Sequence, residues 1–243
     1  MEIYQLVQKI CGGYHPGVDE VEKLLCAEGQ DLDYIFKAAD EINRFYNGNT
    51  VHIRGIIEFS NYCRASCAYC GLNAGNKELK RYRMEPDEII EVAKKAYDAG
   101  YKTIVLQSGE DLWYSKEKIS YIIREIKAIG GLAITLSVGE RAYEDYRQWK
   151  EDGADRFLLK HETINPRLYK SLHPHSTLAN RILCLKRLKT LGYQTGSGFM
   201  IGLPGQTTRD IAKDILFLNR LEVDMAGIGP FIPHQGTALR DAP

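Results

Sequence analysis

One unit recurs along the chain from residue 51 onwards: an apolar strand, a loop, an amphipathic helix, and a glycine just before the next strand. The predicted strands are 52–60, 101–107, 132–138, 155–161, 193–202 and 225–233. Strands that alternate with helices pair in parallel through right-handed crossovers. The strands are mostly continuous apolar runs, as expected when both faces of a sheet are covered. The pattern therefore predicts an α/β fold.

Polar residues gather where these strands end, as in Glu58, Gln107 to Asp111, Ser137 to Glu140, Lys160 to Thr163, and GLPGQ at 202–206. Ligands of parallel α/β folds bind at the carboxyl ends of the strands. A doubly wound sheet would concentrate such residues at one crevice, whereas here almost every strand end carries them. We therefore expect a TIM-like (β/α) barrel with about six units. An eight-unit barrel usually takes about 250 residues, so we also expect a chain truncated at its C-terminus.

Residues 1–50 are predicted to be helical. VDEVEKLLCAEG and DLDYIFKAADEINRFYNGN carry apolar residues at helical spacing, with Asp19 and Asp31 as expected N-caps and Gly29 and Gly48 as expected ends. We expect two parts: a helical segment over 1–50 that packs on the barrel, and an incomplete barrel domain over 51–243.

Composition excludes several function classes. Lys+Arg and Asp+Glu are equal at 32 each, so no strong field favours nucleic acid or an anionic membrane. No apolar run approaches the ~20 residues that span a bilayer, and the N-terminus lacks the features of a secretion signal. We expect a cytoplasmic protein without nucleic-acid or membrane partners.

Three of the six cysteines crowd into one short segment, Cys63-Arg-Ala-Ser-Cys67-Ala-Tyr-Cys70, directly after the first strand. Disulfides are rare in the cytosol, so crowded cysteines there indicate a metal site. Three thiolates can hold three corners of a [4Fe–4S] cluster and leave the fourth iron open. Zinc is the alternative, in a zinc-stabilised binding module without catalysis, but a fourth ligand at customary spacing is missing. The remaining cysteines are predicted to be buried apolar residues.

The C-x3-C-x2-C motif after a first strand is similar to that of the radical SAM (S-adenosylmethionine) superfamily. Further segments resemble the HydE family of [FeFe]-hydrogenase H-cluster maturases, in the same order along the chain: IIEFSNYCRASCAYCGLNAGNKELKRYRM, TIVLQSGED, ITLSVGE, LLKHETINPRLYKSLHP, GSGFMIGLPGQT and GIGPFIPHQGTAL. The resemblance implies a barrel of the radical SAM type, an oxygen-sensitive [4Fe–4S] cluster on Cys63, Cys67 and Cys70, and SAM on the open iron.

The implied reaction is reductive cleavage of SAM to a 5′-deoxyadenosyl radical, acting on an iron-bound cysteine-containing precursor. The implied partners are this small-molecule or iron-complex substrate, an electron donor such as ferredoxin or flavodoxin, and other hydrogenase maturases.

The resemblance also assigns residues near SAM. Ser108, Gly109 and Glu110 match the segment that receives the amino group, and Glu110 suits an ammonium. Ser137, Glu162 and Arg181 match positions near the ribose and the carboxylate, while Tyr69 places its backbone near the adenine.

Four residues are expected to point from strand ends into the substrate cavity: Gln107, Thr135, Lys160 and Met225. The family usually carries Arg at the position of Lys160, and the two are not equivalent when a carboxylate is bound by two hydrogen bonds. His161 is interpreted as a hydrogen-bonded barrel residue in preference to a proton donor or an iron ligand. His173, His175 and His234 are assigned no role.

The closest rival enzymes are methylornithine synthase and biotin synthase, which resemble HydE in fold and in the cysteine segment. CGLNAGNKELKRYRM fits HydE better than methylornithine synthase, and no pattern matches the second cluster of biotin synthase. A tRNA-modifying enzyme would suit Lys77, Lys80, Arg81 and Arg83, but Glu78 interrupts the run. We interpret residues 77–83 as a solvated segment.

Overall fold

Six parallel strands form one sheet, in chain order, in the computed structural model, which describes residues 1–242. They are β1 (Gly55–Ser60), β2 (Thr103–Ser108), β3 (Ala133–Ser137), β4 (Arg156–Leu158), β5 (Gln194–Ile201) and β6 (Met225–Pro230). A doubly wound sheet reverses its strand order at a switch point, whereas a barrel follows the chain. The predictions of six strands and of a TIM-like barrel fold are confirmed.

Nine helices are present among residues 1–242. They are α1 (Ile3–Cys11), α2 (Val18–Leu25), α3 (Gly29–Asn47), α4 (Pro86–Asp98), α5 (Lys116–Ile129), α6 (Tyr143–Glu151), α7 (Pro166–Leu172), α8 (Leu178–Thr190) and α9 (Thr208–Leu221). The pattern did not predict α7, a short helix between β4 and α8 that begins where the Asn165 side chain accepts two main-chain N–H groups. Within the same range, no helix is both long and apolar enough to cross a membrane.

The predicted N-caps of α2 and α3 are wrong. Gly17 and Glu28 occupy the cap positions, while Asp19 and Asp31 lie inside the first turns. An acidic side chain is favourable there too, because it interacts with the positive end of the helix dipole. The acidic residues therefore mark the first turn of each helix, two or three residues after the cap position.

Of the two predicted helix ends, the one at Gly48 is confirmed and the one at Gly29 is wrong. Gly48 ends α3 with a φ of 68°, as expected, whereas Gly29 is the first residue of α3.

Asp19 on α2 accepts a hydrogen bond of 2.5 Å from Arg209 on α9. This ion pair joins the N-terminal helices to a helix of the barrel.

The core lies between the sheet and its outer helices. Ile104, Leu106, Ile134 and Leu136 alternate along β2 and β3 and are almost fully buried, as is Trp149 of α6. Alternate residues of a strand point to opposite faces. The intervening positions, which include the predicted substrate residues of these two strands, therefore face the interior of the barrel.

The prediction that the isolated cysteines are buried holds for one of three. Cys184 on α8 is 2% exposed and belongs to the core. Cys11 and Cys26 are exposed, because each lies at the end of a short amphipathic helix.

Candidate functional site

The segment that carries the three cysteines, residues 61–84, is here called the cysteine loop. Arg81 holds this loop in shape, because its guanidinium donates to the carbonyl oxygens of Leu72 at 2.9 Å and Asn73 at 2.8 Å, and also to that of Asn61. A guanidinium carries five N–H donors and can satisfy several carbonyl groups at once. Arg81 is therefore a structural part of the site.

Arg83 attaches the end of the cysteine loop to the segment that follows β2. Its guanidinium donates to both carboxylate oxygens of Asp111, at 2.7 and 2.9 Å, and lies 3.8 Å from the ring centre of Tyr62. The interpretation of residues 77–83 as solvated is thus wrong for Arg81, which is half-buried and bonded to main-chain carbonyl groups. Arg83 remains exposed, as interpreted, but is paired with Asp111.

Asp111 makes the free energy of unfolding depend on pH in the acid range. Burial favours a higher pKa for Asp111, but hydrogen bonds from Arg83, Ser60 and the N–H of Trp113 outweigh it and lower the pKa. A carboxyl group whose pKa is lower in the folded state than in the unfolded state stabilises the folded protein. This contribution is complete above the unfolded pKa of ~3.9 and is lost as the pH falls through the pKa of the folded state.

We expect Asp111→Asn to lower the free energy of unfolding at pH 7 and the difference from wild type to shrink below pH ~4. Urea unfolding at a series of pH values measures both effects. Asp33→Asn, at an exposed position of α3, is the control and should change neither. A difference that is independent of pH would contradict this account of Asp111.

The three thiols of the cysteine loop are half-buried and near one another. Burial raises the pKa of Cys67 to about 12, and the charges of Cys70 and Cys63 act in the same direction. The main-chain N–H of Glu110 donates to Cys63 Sγ at 3.3 Å. Three neighbouring thiolates repel one another unless cations bind between them, which is what the irons of a cluster would provide. The donor set therefore fits a cluster.

The segment Ser108-Gly109-Glu110 lies directly against the cysteine loop. A Cβ on Gly109 would lie 2.3 Å from the carbonyl oxygen of Tyr62, so only glycine permits this approach. Glu110 is buried and accepts from Arg64 Nε at 3.1 Å and from the N–H of Glu140 at 2.9 Å. Its carboxylate is held in place and keeps unused lone pairs for a ligand.

Glu162 has the clearest sign of a missing ligand. It has a φ of 64°, a conformation that costs roughly 1–3 kcal/mol in a non-glycine residue and is typical of functional sites. Tyr69 donates to its Oε1 at 3.3 Å, while its buried Oε2 lacks a partner among residues 1–242. Burial raises the pKa of Glu162, opposed by the charges of Lys160 and Arg181. A hydroxyl of a bound ligand would satisfy Oε2.

Arg181 is buried and pairs with Glu140, with 2.6 Å between Nε and Oε1. It also donates to the carbonyl oxygen of Lys160. Glu140 accepts further hydrogen bonds from Asn180 and Ser176. No role was predicted for Glu140 from the sequence, although the buried pair joins the ends of β3 and β4 to the start of α8. Ser137, the last residue of β3, is half-buried and lies three residues before Glu140.

The predicted substrate residues occupy different positions within their strands. Gln107 and Lys160 lie at carboxyl ends, with Gln107 donating to Glu58 at 3.3 Å. Thr135, in the middle of β3, is buried, and its hydroxyl has no hydrogen-bond partner within residues 1–242. Met225 is the first residue of β6 and contacts Arg54.

The prediction that all four residues lie at strand ends is therefore wrong for Thr135 and Met225. The strands of a barrel are staggered, so a position within the strand does not give the height of a residue along the barrel.

His161 is buried, as interpreted. Its Nδ1 lies 3.0 Å from Ser197 Oγ and its Nε2 lies 3.5 Å from Asp214 Oδ1. The histidine ring packs against Phe199 of β5 and Phe217 of α9.

The chain is similar in sequence to enzymes of one superfamily. The model of the Radical SAM superfamily matches residues 57–218. The [FeFe] hydrogenase maturase subunit HydE of Thermotoga maritima is 58% identical over 205 residues, which cover 84% of this chain and 59% of that protein. A 3-methylornithine synthase of Methanosarcina acetivorans is 30% identical, over 96% of this chain and 67% of that protein.

The crystal structure of methylornithine synthase (PylB) matches with a TM-score of 0.90 at 28% identity, over 97% of this chain and 70% of that chain. The resemblance to HydE is thus confirmed at the level of sequence, and this chain spans 59% of that relative's length. Enzymes of the matched superfamily use a [4Fe–4S] cluster and SAM, and the arrangement of thiols and carboxylates at the strand ends agrees with both cofactors. The chain belongs to the radical SAM superfamily.

Proposed function

We propose that the protein reductively cleaves SAM and acts in the maturation of the [FeFe]-hydrogenase H-cluster, as HydE does. The observation that carries this proposal is the 58% identity to a HydE, which extends over the cysteine loop and the strand ends. The alternatives are 3-methylornithine synthase and biotin synthase, since one enzyme of each kind is 30% identical to this chain.

In this proposal Cys63, Cys67 and Cys70 hold the cluster. When bound, the reduced cluster supplies the electron that splits the SAM sulfonium and yields a 5′-deoxyadenosyl radical. The buried Glu110, next to the cysteine loop, would orient the amino group of SAM through its negative charge. Ser108 and Gly109 shape the adjoining backbone.

The other residues assigned to SAM lie around the same mouth of the barrel. Glu162 accepts a ribose hydroxyl on Oε2, and Ser137 supplies a further hydroxyl. The guanidinium of Arg181 binds the SAM carboxylate, and Glu140 keeps this guanidinium oriented. Tyr69 orients Glu162 through its hydroxyl while its backbone contacts the adenine.

We propose that the substrate, an iron-bound cysteine-containing precursor, lies inside the barrel against Gln107, Thr135, Lys160 and Met225. The chain of Lys160 crosses the interior toward β6, since a Cβ on Gly227 would lie 3.2 Å from its Cε. Lys160 therefore places a point charge in the cavity where an arginine would offer two parallel donors.

The proposal also includes partners and location. A ferredoxin or flavodoxin supplies the electron, other hydrogenase maturases pass on the product, and the cytoplasm provides reducing conditions. Thiolates remain available for iron only in such a compartment.

Rescue of hydrogenase activity tests the proposed role. We expect the gene for this protein to restore active [FeFe]-hydrogenase in an anaerobic host that lacks its own HydE, and the Cys67→Ala variant to fail. Absence of rescue by a protein that carries its cluster and cleaves SAM would contradict the maturase role alone. Production of 3-methylornithine by the purified enzyme would support the alternative.

A further inference from the structure

Two of the three cysteine sulfurs lie near a nitrogen that can donate a hydrogen bond. The main-chain N–H of Glu110 donates to Cys63 Sγ at 3.3 Å. The other donor is a side chain: His175 Nε2 lies 3.9 Å from Cys67 Sγ. A contact of this length is within reach of a hydrogen bond to sulfur, which is a larger atom than oxygen.

The cysteine loop itself determines which nitrogen of His175 carries the proton. The main-chain N–H of Ser66 donates to His175 Nδ1 at 3.3 Å. A ring nitrogen that accepts a hydrogen bond has no proton, so the neutral imidazole carries its proton on Nε2. The N–H bond is then on the side of the ring that faces Cys67.

The position of His175 is also determined by the fold. The N–H of Ala68, next to Cys67, donates to the carbonyl oxygen of Leu172 at the end of α7 at 2.9 Å. This bond fastens the segment that carries His175 to the cysteine loop. His175 is exposed, and the bond from Ser66 together with this backbone bond holds its imidazole beside the sulfur.

We propose that His175 donates a hydrogen bond to the Cys67 sulfur and thereby raises the reduction potential of the cluster. The inference rests on the proposed function, in which Cys67 is a cluster ligand. Reduction adds one electron, from [4Fe–4S]2+ to [4Fe–4S]1+, supplied by dithionite in the experiment and by a one-electron donor protein in the cell. Hydrogen bonds to cluster sulfurs stabilise the more negative, reduced form.

The test is a potentiometric titration of the anaerobically reconstituted protein without SAM, followed by EPR of the reduced cluster. At the potential where half of the wild-type cluster is reduced, we expect His175→Ala to show a several-fold lower ratio of reduced to oxidised cluster. His175→Gln should stay close to wild type, because its amide carries an N–H donor of similar reach. His52→Ala, at an exposed position before β1, should have no effect.

Iron content separates the possible failures. A wild-type protein that takes up no iron would refute the proposed function, whereas iron-loaded His175→Ala with an unchanged potential would refute only the role of His175. If His175→Ala does not retain iron, the His175→Asn variant tests the proposal in its place. The amide of this variant is polar, but its shorter side chain does not reach Cys67. A wild-type potential in the iron-loaded Asn variant would then overturn the proposal.

Discussion

Replacing Cys63, Cys67 or Cys70 by alanine is expected to abolish reductive cleavage of SAM. In the proposed site each cysteine holds one corner of the cluster, so loss of one cysteine would leave a second iron without a protein ligand. The measurement is the yield of 5′-deoxyadenosine from anaerobically reconstituted protein with dithionite and SAM. Yields should fall to the level found without enzyme.

Cys26→Ala is the matched control for these three variants. Cys26 is also a free cysteine but lies at the end of α2, outside the cysteine loop. Its variant should keep the wild-type iron content and yield. Cleavage retained by any of the three loop variants would refute the role assigned to that cysteine.

Gly139→Ala is expected to have the second large effect. Gly139 has a φ of 74°, and a Cβ there would lie 2.1 Å from Glu110 Cγ. The conformation alone costs roughly 1–2 kcal/mol for an L-residue. The clash adds to this cost and moves the carboxylate that we propose for the SAM amino group. We expect lower stability and weaker binding of SAM.

Gly192→Ala separates the two causes. Gly192 has a similar φ of 79°, but a Cβ there would meet no atom within 4 Å beyond its chain neighbours. Both variants should lose stability in urea unfolding, whereas only Gly139→Ala should raise the KM for SAM. Equal KM values in the two variants would contradict the proposed contact between Glu110 and SAM.

Much of this fold follows from sequence periodicity. The six strands have apolar runs that end in polar residues, and glycine precedes most of them, so their number, direction and order were predictable. Helix α7 was missed because it has only 7 residues and lies between β4 and α8, within what the pattern indicated as a loop. Short elements of this kind depend on tertiary contacts more than on local pattern.

The site was predictable to a smaller extent. Cys63, Cys67 and Cys70 were visible because ligands of one cluster are close together in the sequence. Glu140 and His175 were not, because their partners Arg181 and Cys67 are distant in the chain and only folding brings them together. A single sequence gives no spacing rule for such pairs.

The metal content of the anaerobically reconstituted protein, together with its EPR spectrum, tests the central claim most directly. We expect about four irons per chain, and a signal after reduction by dithionite that changes when SAM is added, because SAM binds the open iron. One zinc per chain, with no visible absorption and no EPR signal, would contradict the account.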